Sequence, residues 1–231
     1  MYIGICFNNV LDNISVLMQM EIISAFNKCT EEYDKWYSKK PGSMVLKSEV
    51  EAIEALTPEG LGVEVGTGTG VFSSRLGVFL GVDPALDMLK IAKNRGVNVV
   101  QALGEFLPIK NECLDYVLLV FTICFLRNPW SSLREAWRVL RRGGNVIVGF
   151  IPRNSKWGKL YLKKKAEGHR LYKYANFYAL EKVEEILEER GFKTIKYSAT
   201  LSQEPETVRK VEEPSNDVSR RGFVCIKAVK I

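Results

Sequence analysis

The chain has 231 residues, 46% hydrophobic and 26% charged, with a net charge of +6. That length accommodates one full α/β domain with a small appendage, and the composition excludes a disordered, collagen-like or low-complexity chain. Five cysteines (Cys6, Cys29, Cys113, Cys124, Cys225) without a Cys-x-x-Cys pair read as reduced thiols of a cytoplasmic protein and form no metal-ligand pattern.

The first stretch, MYIGICFNNVLDNISVLMQM, is apolar-rich but has neither the basic leader nor the small-residue cleavage site of a signal peptide. Met18 or Met20 serves as a start as well as Met1 does. No apolar run reaches the roughly 18 residues of a membrane span. The first strand is GVEVG, followed by the alternating glycines of EVGTGTG and a short segment, VFSSRLGVFL, with room for a helix of barely two turns.

A second strand ends at Asp83. The next helix, PALDMLKIAKNRG, carries Ala85, Met88, Leu89 and Ala92 on one face, with Pro84 in its first turn. NVVQAL and LDYVLLVF are further strands, the latter almost continuously apolar as a central parallel strand is. SSLREAWRVLRRGG reads as a helix capped by Ser131 or Ser132 and ended by Gly143, with NVIVGF returning as a strand.

Residues 152–173 hold eight basic side chains against one acid, Glu167, so this segment carries +7 and the remainder of the chain is close to neutral; Tyr161 and Tyr172 are interleaved with the basic residues. A last helix, ALEKVEEILEERGF, precedes two late strands, FKTIKYSATL and GFVCIKAVKI. The alternation predicts an α/β fold: a doubly wound, mostly parallel seven-stranded sheet. Scarce glutamine beside abundant Lys and Glu hints at a thermophilic source.

Three ligand classes compete for the glycine turn. A dinucleotide fingerprint needs glycine at 71, where Val71 stands, and a P-loop needs Lys then Ser or Thr after the last glycine, where Val71 and Phe72 follow. The third class is an adenosine ligand without phosphate. Glu64, placed at the strand tip, repels a pyrophosphate but favours an ammonium group. S-adenosylmethionine, with its sulfonium and methionine ammonium, satisfies that, and Asp83 at the next strand end suits the two ribose hydroxyls.

VEVGTGTG, GVDPALDML, GEFLPIKNECLDYVLL and LREAWRVLRRGGNVIVGF occur in the order and spacing of a known family. From about residue 45 to 201 the chain resembles the class I S-adenosylmethionine-dependent methyltransferases, in the group similar to the ubiquinone and menaquinone biosynthesis enzymes. The resemblance implies a Rossmann-like fold with Glu64, Gly66, Thr67, Gly68 and Gly70 around the methionine part. It implies Asp83 on the ribose, with Pro84 and Met88 following, and Gly104 and Glu105 near the adenine. Phe121 and Thr122 would flank the methyl group, and EEYDKWY resembles a lid helix that brings Tyr33 and Trp36 to the pocket. Leu103 stands where family members often carry an acid, which weakens the adenine amino contact or shifts it to backbone and Glu105.

On this reading residues 1–44 form an N-terminal segment and lid helix, 45–151 the cofactor-binding core, 152–178 a basic aromatic lid inserted after the fifth strand, and 179–231 the rest of the sheet. The expected reaction is direct displacement of the methyl group onto a small-molecule acceptor, with no metal. His169, Tyr172 and Tyr33 are the candidate catalytic groups. Cys124 and Asp115 read as structural. An RNA acceptor on the basic 152–178 segment, and a cofactor-binding interaction protein without catalysis, are the alternatives; a monomer and a homodimer are both compatible.

Overall fold

The computed structural model describes residues 4–231, with side chains described from Val16 onward; Cys6 and the Met1 start lie outside those side chains. Two helices, α1 (Gly4–Ser38) and α2 (Gly42–Glu54), precede β1 (Gly62–Val65). Then follow α3 (Ser73–Leu76), β2 (Leu80–Asp83), α4 (Leu86–Asn94), β3 (Val99–Gln101) and β4 (Leu114–Val120). The chain continues through α5 (Pro129–Val139), β5 (Leu140–Phe150), α6 (Lys156–Ala166), a 3-10 turn (Tyr172–Tyr174), α7 (Leu180–Glu189), β6 (Phe192–Thr200) and β7 (Phe223–Lys230).

The seven strands form one sheet in the order β3-β2-β1-β4-β5-β7-β6, with β7 antiparallel to both of its neighbours. This is the doubly wound sheet expected from the alternation of apolar strands and amphipathic helices. Central β4 shows why its sequence carries no polar alternation. Val117 and Leu119 pack towards α5 and α7, whereas Tyr116, Leu118 and Val120 pack towards α2 and Phe72. Both faces of the strand are therefore dry.

Several local expectations need correction. Helix α5 is capped not by Ser131 or Ser132 but by Asn128, whose side chain accepts from the Ser131 amide (3.1 Å), with Pro129 in the first turn. It ends at Val139 rather than at Gly143, because β5 begins immediately and Gly143, at φ +74°, lies inside that strand. Pro84 precedes the N-cap Ala85 and stays outside α4, while α3 is a single turn closed by left-handed Gly77. The 44/45 boundary falls inside α2.

Arg138 in α5 ties down the loop that carries Gly104 and Glu105. Its guanidinium pairs with Glu135 and donates to the carbonyls of Ile109 (2.8 Å) and Leu107 (2.9 Å), while Glu135 accepts from the Leu107 amide (2.9 Å). The REAWR run thus holds a loop as well as a helix. The inserted segment sorts its side chains by chemistry. Trp157, Leu171 and Phe177 are buried, whereas Lys156, Lys159 and Lys163 stay in solvent. Arg170 pairs with Glu32 of α1, joining the insertion to the N-terminal helix.

Candidate functional site

Open parallel sheets bind ligands beyond the carboxyl ends of their strands, where the strand order reverses. Here that point lies between β1 and β4, and the main cavity opens there. Val65, Gly66, Gly68, Asp83, Phe121 and Thr122 line it from the strand ends, and Leu103, Gly104 and Glu105 from the loop after β3. Helix α1 lies over it with Ile22, Phe26, Tyr33, Trp36 and Tyr37; Tyr161, Tyr172 and Phe177 of the insertion close the far wall. With its mouth the cavity holds about 1360 Å³ of empty space.

The glycines have separate duties. Gly66 (φ +77°) leaves no room for a Cβ, which would stand 2.3 Å from the Thr122 hydroxyl. That hydroxyl donates to the Val65 carbonyl (2.9 Å) and locks the ends of β1 and β4 together. Gly70 faces Ala92 of α4 and is a packing residue. A Cβ on Gly68 meets nothing within 4 Å, so its bare main chain fronts the cavity. Phe121, at φ +56°, is a non-glycine in the left-handed region at the end of β4, a conformation that concentrates at functional sites.

Asp83 is fixed from behind: its Oδ2 accepts from the Gly68 amide (2.9 Å) and its Oδ1 from the Ala85 amide (2.8 Å). Burial raises this carboxyl to about 6 against those two amides. Glu105 is buried with neither carboxylate oxygen hydrogen-bonded, and burial raises it too. Met88 and Pro84 complete the wall below.

Glu64 is not at the strand tip and does not line the cavity. It is 1% exposed, behind the turn, and accepts from the Ser73 hydroxyl and from Thr67 Oγ1 (3.2 Å). Thr67 and Gly70 also lie behind the wall. His169 is exposed outside the cavity, its ring stacked on Tyr172 (4.5 Å), with Nδ1 accepting from backbone amides; it is not placed to act on a ligand inside. Cys124 lines the cavity, but burial pushes its thiol up to about 12, unsuited to a nucleophile. Asp115 accepts from the Leu61 amide (2.6 Å) and pairs with Arg141, a structural duty. The sequence reading missed Glu49 of α2, a cavity-lining carboxylate that is 3% exposed.

Helix α1 is anchored to the core. Arg95 pairs with Asp34 (2.8 Å) and also donates to the Thr69 carbonyl (2.6 Å), while Phe26 packs edge-on against Phe125 (4.9 Å). No helix among the described residues is long and apolar enough to cross a membrane.

Residues 63–148 match the model of a methyltransferase domain. A crystal structure of a Thermotoga maritima S-adenosylmethionine-dependent methyltransferase, described as a "possible histamine N-methyltransferase", is 36% identical. It superposes with a TM-score of 0.86, covering 91% of this chain and all of that one. The chain belongs to the S-adenosylmethionine-dependent methyltransferases. An uncharacterised Methanocaldococcus jannaschii protein is 43% identical over 209 residues, 90% of this chain and all of that one. A Campylobacter jejuni ubiquinone/menaquinone biosynthesis C-methyltransferase is 25% identical over 158 residues, covering 61% of this chain and 67% of that one. The magnesium protoporphyrin IX methyltransferase of Synechocystis PCC 6803, with S-adenosylhomocysteine bound, shares the fold at 15% identity (TM-score 0.63), covering 87% of this chain and 94% of that one.

In this methyltransferase the buried Glu64 predicts a pH effect on stability. Burial lifts its carboxyl to about 7, only partly offset by the Ser73 and Thr67 hydroxyls, against about 4.3 for a free Glu. Between those values the folded protein holds a proton that the unfolded chain has released. Stability therefore falls as pH rises through the window, by roughly 3 kcal/mol from this group. Glu64→Gln keeps the shape without the charge. Urea unfolding is expected to show the variant matching the wild type at pH 4.5 and exceeding it at pH 8; identical pH slopes would refute the assignment.

Proposed function

We propose that this methyltransferase binds S-adenosylmethionine in the cavity and moves its methyl group to a small-molecule acceptor held against the tyrosine wall. The observation that carries the reading is the charge of the lining. Among the described residues its carboxylic acids are Glu49, Asp83 and Glu105, and no Lys, Arg or His joins them. An acid-only lining fits a cationic, phosphate-free donor and opposes a pyrophosphate. The open space at Gly68 and the unpartnered oxygens of Glu105 supply a bare approach and waiting acceptors.

When bound, the donor supplies an electrophilic methyl group on a cationic sulfur. The protein's own work is alignment and exclusion of water. Asp83 accepts from the ribose hydroxyls, Met88 lies against the adenine, and Gly104 and Glu105 serve its edge. Gly66 and Gly68 run along the methionine part. Glu64 acts indirectly: through Thr67 and Ser73 it sets the turn. Phe121 and Thr122 border the methyl group, and Tyr33, Trp36 and Tyr172 shield it.

An RNA acceptor finds support in the exposed basic side chains of residues 152–178, none of which lines the cavity. Incubation with methyl-labelled cofactor and a fractionated cell extract separates the readings. Label is expected in the low-molecular-weight fraction. Label in RNA would favour the second reading, and cofactor binding without any transfer would favour an interaction protein.

A further inference from the structure

We infer that Glu49 recognises the acceptor, and that the acceptor carries a basic nitrogen whose ammonium donates to the Glu49 carboxylate within a box of tyrosine rings. The inference rests on the methyl-transfer reading above and names its substrate class.

Glu49 sits on the α2 face that carries Val45, Ala52 and Ile53, all fully buried in the core. An apolar side chain there would serve folding better, since a buried carboxylate without a partner is strongly unfavourable. Among the described residues Glu49 forms no hydrogen bond or ion pair; its Oε2 is sealed from solvent without a partner, yet the side chain lines the cavity. Native proteins rarely leave such a group unsatisfied unless it has a use.

Its surroundings say what would satisfy it. Tyr33, Tyr37, Tyr161 and Tyr172 line the same part of the cavity, the first two in edge-to-face contact at 5.4 Å and the last two at 4.6 Å. Aromatic faces attract cations and repel anions. With no basic side chain among the described residues of the lining, an anionic acceptor finds no positive charge to pair with. The lining therefore favours a cationic acceptor. Burial raises the Glu49 carboxyl well above its usual range, as expected for an acid whose counter-ion arrives with a ligand.

The test uses full-length protein saturated with S-adenosylhomocysteine, titrated calorimetrically at pH 7.5 with 2-phenylethylamine and with its uncharged isostere 2-phenylethanol. The wild type is expected to bind the amine at least tenfold more tightly than the alcohol, and Glu49→Gln to erase the difference while still binding the alcohol. No preference for the amine in the wild type, or a preference surviving in Glu49→Gln, overturns the inference. Failure of the wild type to bind S-adenosylhomocysteine would instead remove the methyl-transfer reading beneath it.

Discussion

Asp83→Ala is expected to lower affinity for S-adenosylmethionine by 10²-fold or more in calorimetry. The carboxylate stands at the carboxyl end of β2, 9% exposed, and each oxygen already takes one backbone amide, from Gly68 and from Ala85. Those bonds aim its remaining lone pairs and leave little rotamer freedom to lose on binding. Hydrogen bonds to a charged group contribute about 1.5–3 kcal/mol each, so losing two to a ribose diol removes about 3–6 kcal/mol, or two to four decades. Alanine also releases the Gly68 amide and loosens the turn.

The same group gives the loss a pH signature. Because burial places its carboxyl near 6, wild-type affinity should decline as the solution is acidified below that value, as an acceptor oxygen becomes a donor. Asp83→Ala should be flat over this range. Unchanged affinity in the alanine variant would remove Asp83 from the cofactor site.

The sheet was legible because burial on both faces writes itself as uninterrupted apolar runs, as in LDYVLLV. The start of α5 was equally written, in the Asn128-Pro129 pair, but the serines that follow offered a competing cap. Its end was not: a Gly-Gly pair after a helical face signals a stop, whereas here the helix ends four residues before Gly143, which lies inside an extended strand. Glu64 shows a different limit. Its neighbours Val63 and Val65 belong to one core layer, and only the folded turn brings the Thr67 and Ser73 hydroxyls to its carboxylate. Acids do line the cavity, but they are Asp83, Glu105 and Glu49 rather than Glu64.

Glu49 had a signal that went unread. With Val45, Ala52 and Ile53 it falls at i, i+4, i+7 and i+8, an acid on the apolar stripe of a helix. Glu51 and Glu54 on the same helix point elsewhere and are less buried. Composition cannot separate the three; spacing can.

Gly66 and Gly68, the two glycines of the turn that line the cavity, should respond to alanine in opposite ways. At Gly66 the new Cβ would lie 2.3 Å from Thr122 Oγ1, whose bond to the Val65 carbonyl joins two central strands, and φ is +77°. Left-handed strain of about 1–2 kcal/mol adds to a clash that only backbone movement relieves. Gly66→Ala should lose at least about 3 kcal/mol, a fall in Tm of roughly 6–12 °C for a chain of this size. At Gly68 the new Cβ meets no protein atom, so Gly68→Ala bears only the strain of its φ of +54° and should stay folded, with Tm lower by a few degrees. Its methyl group, however, occupies the space where the donor's methionine part would lie, and cofactor affinity should fall by about tenfold or more, since roughly 1.4 kcal/mol is a decade. Stability and affinity are thus expected to separate between neighbours two residues apart. A Gly68→Ala protein that binds S-adenosylmethionine as tightly as the wild type would mean that this stretch of main chain only makes the turn, and that the donor lies elsewhere in the cavity.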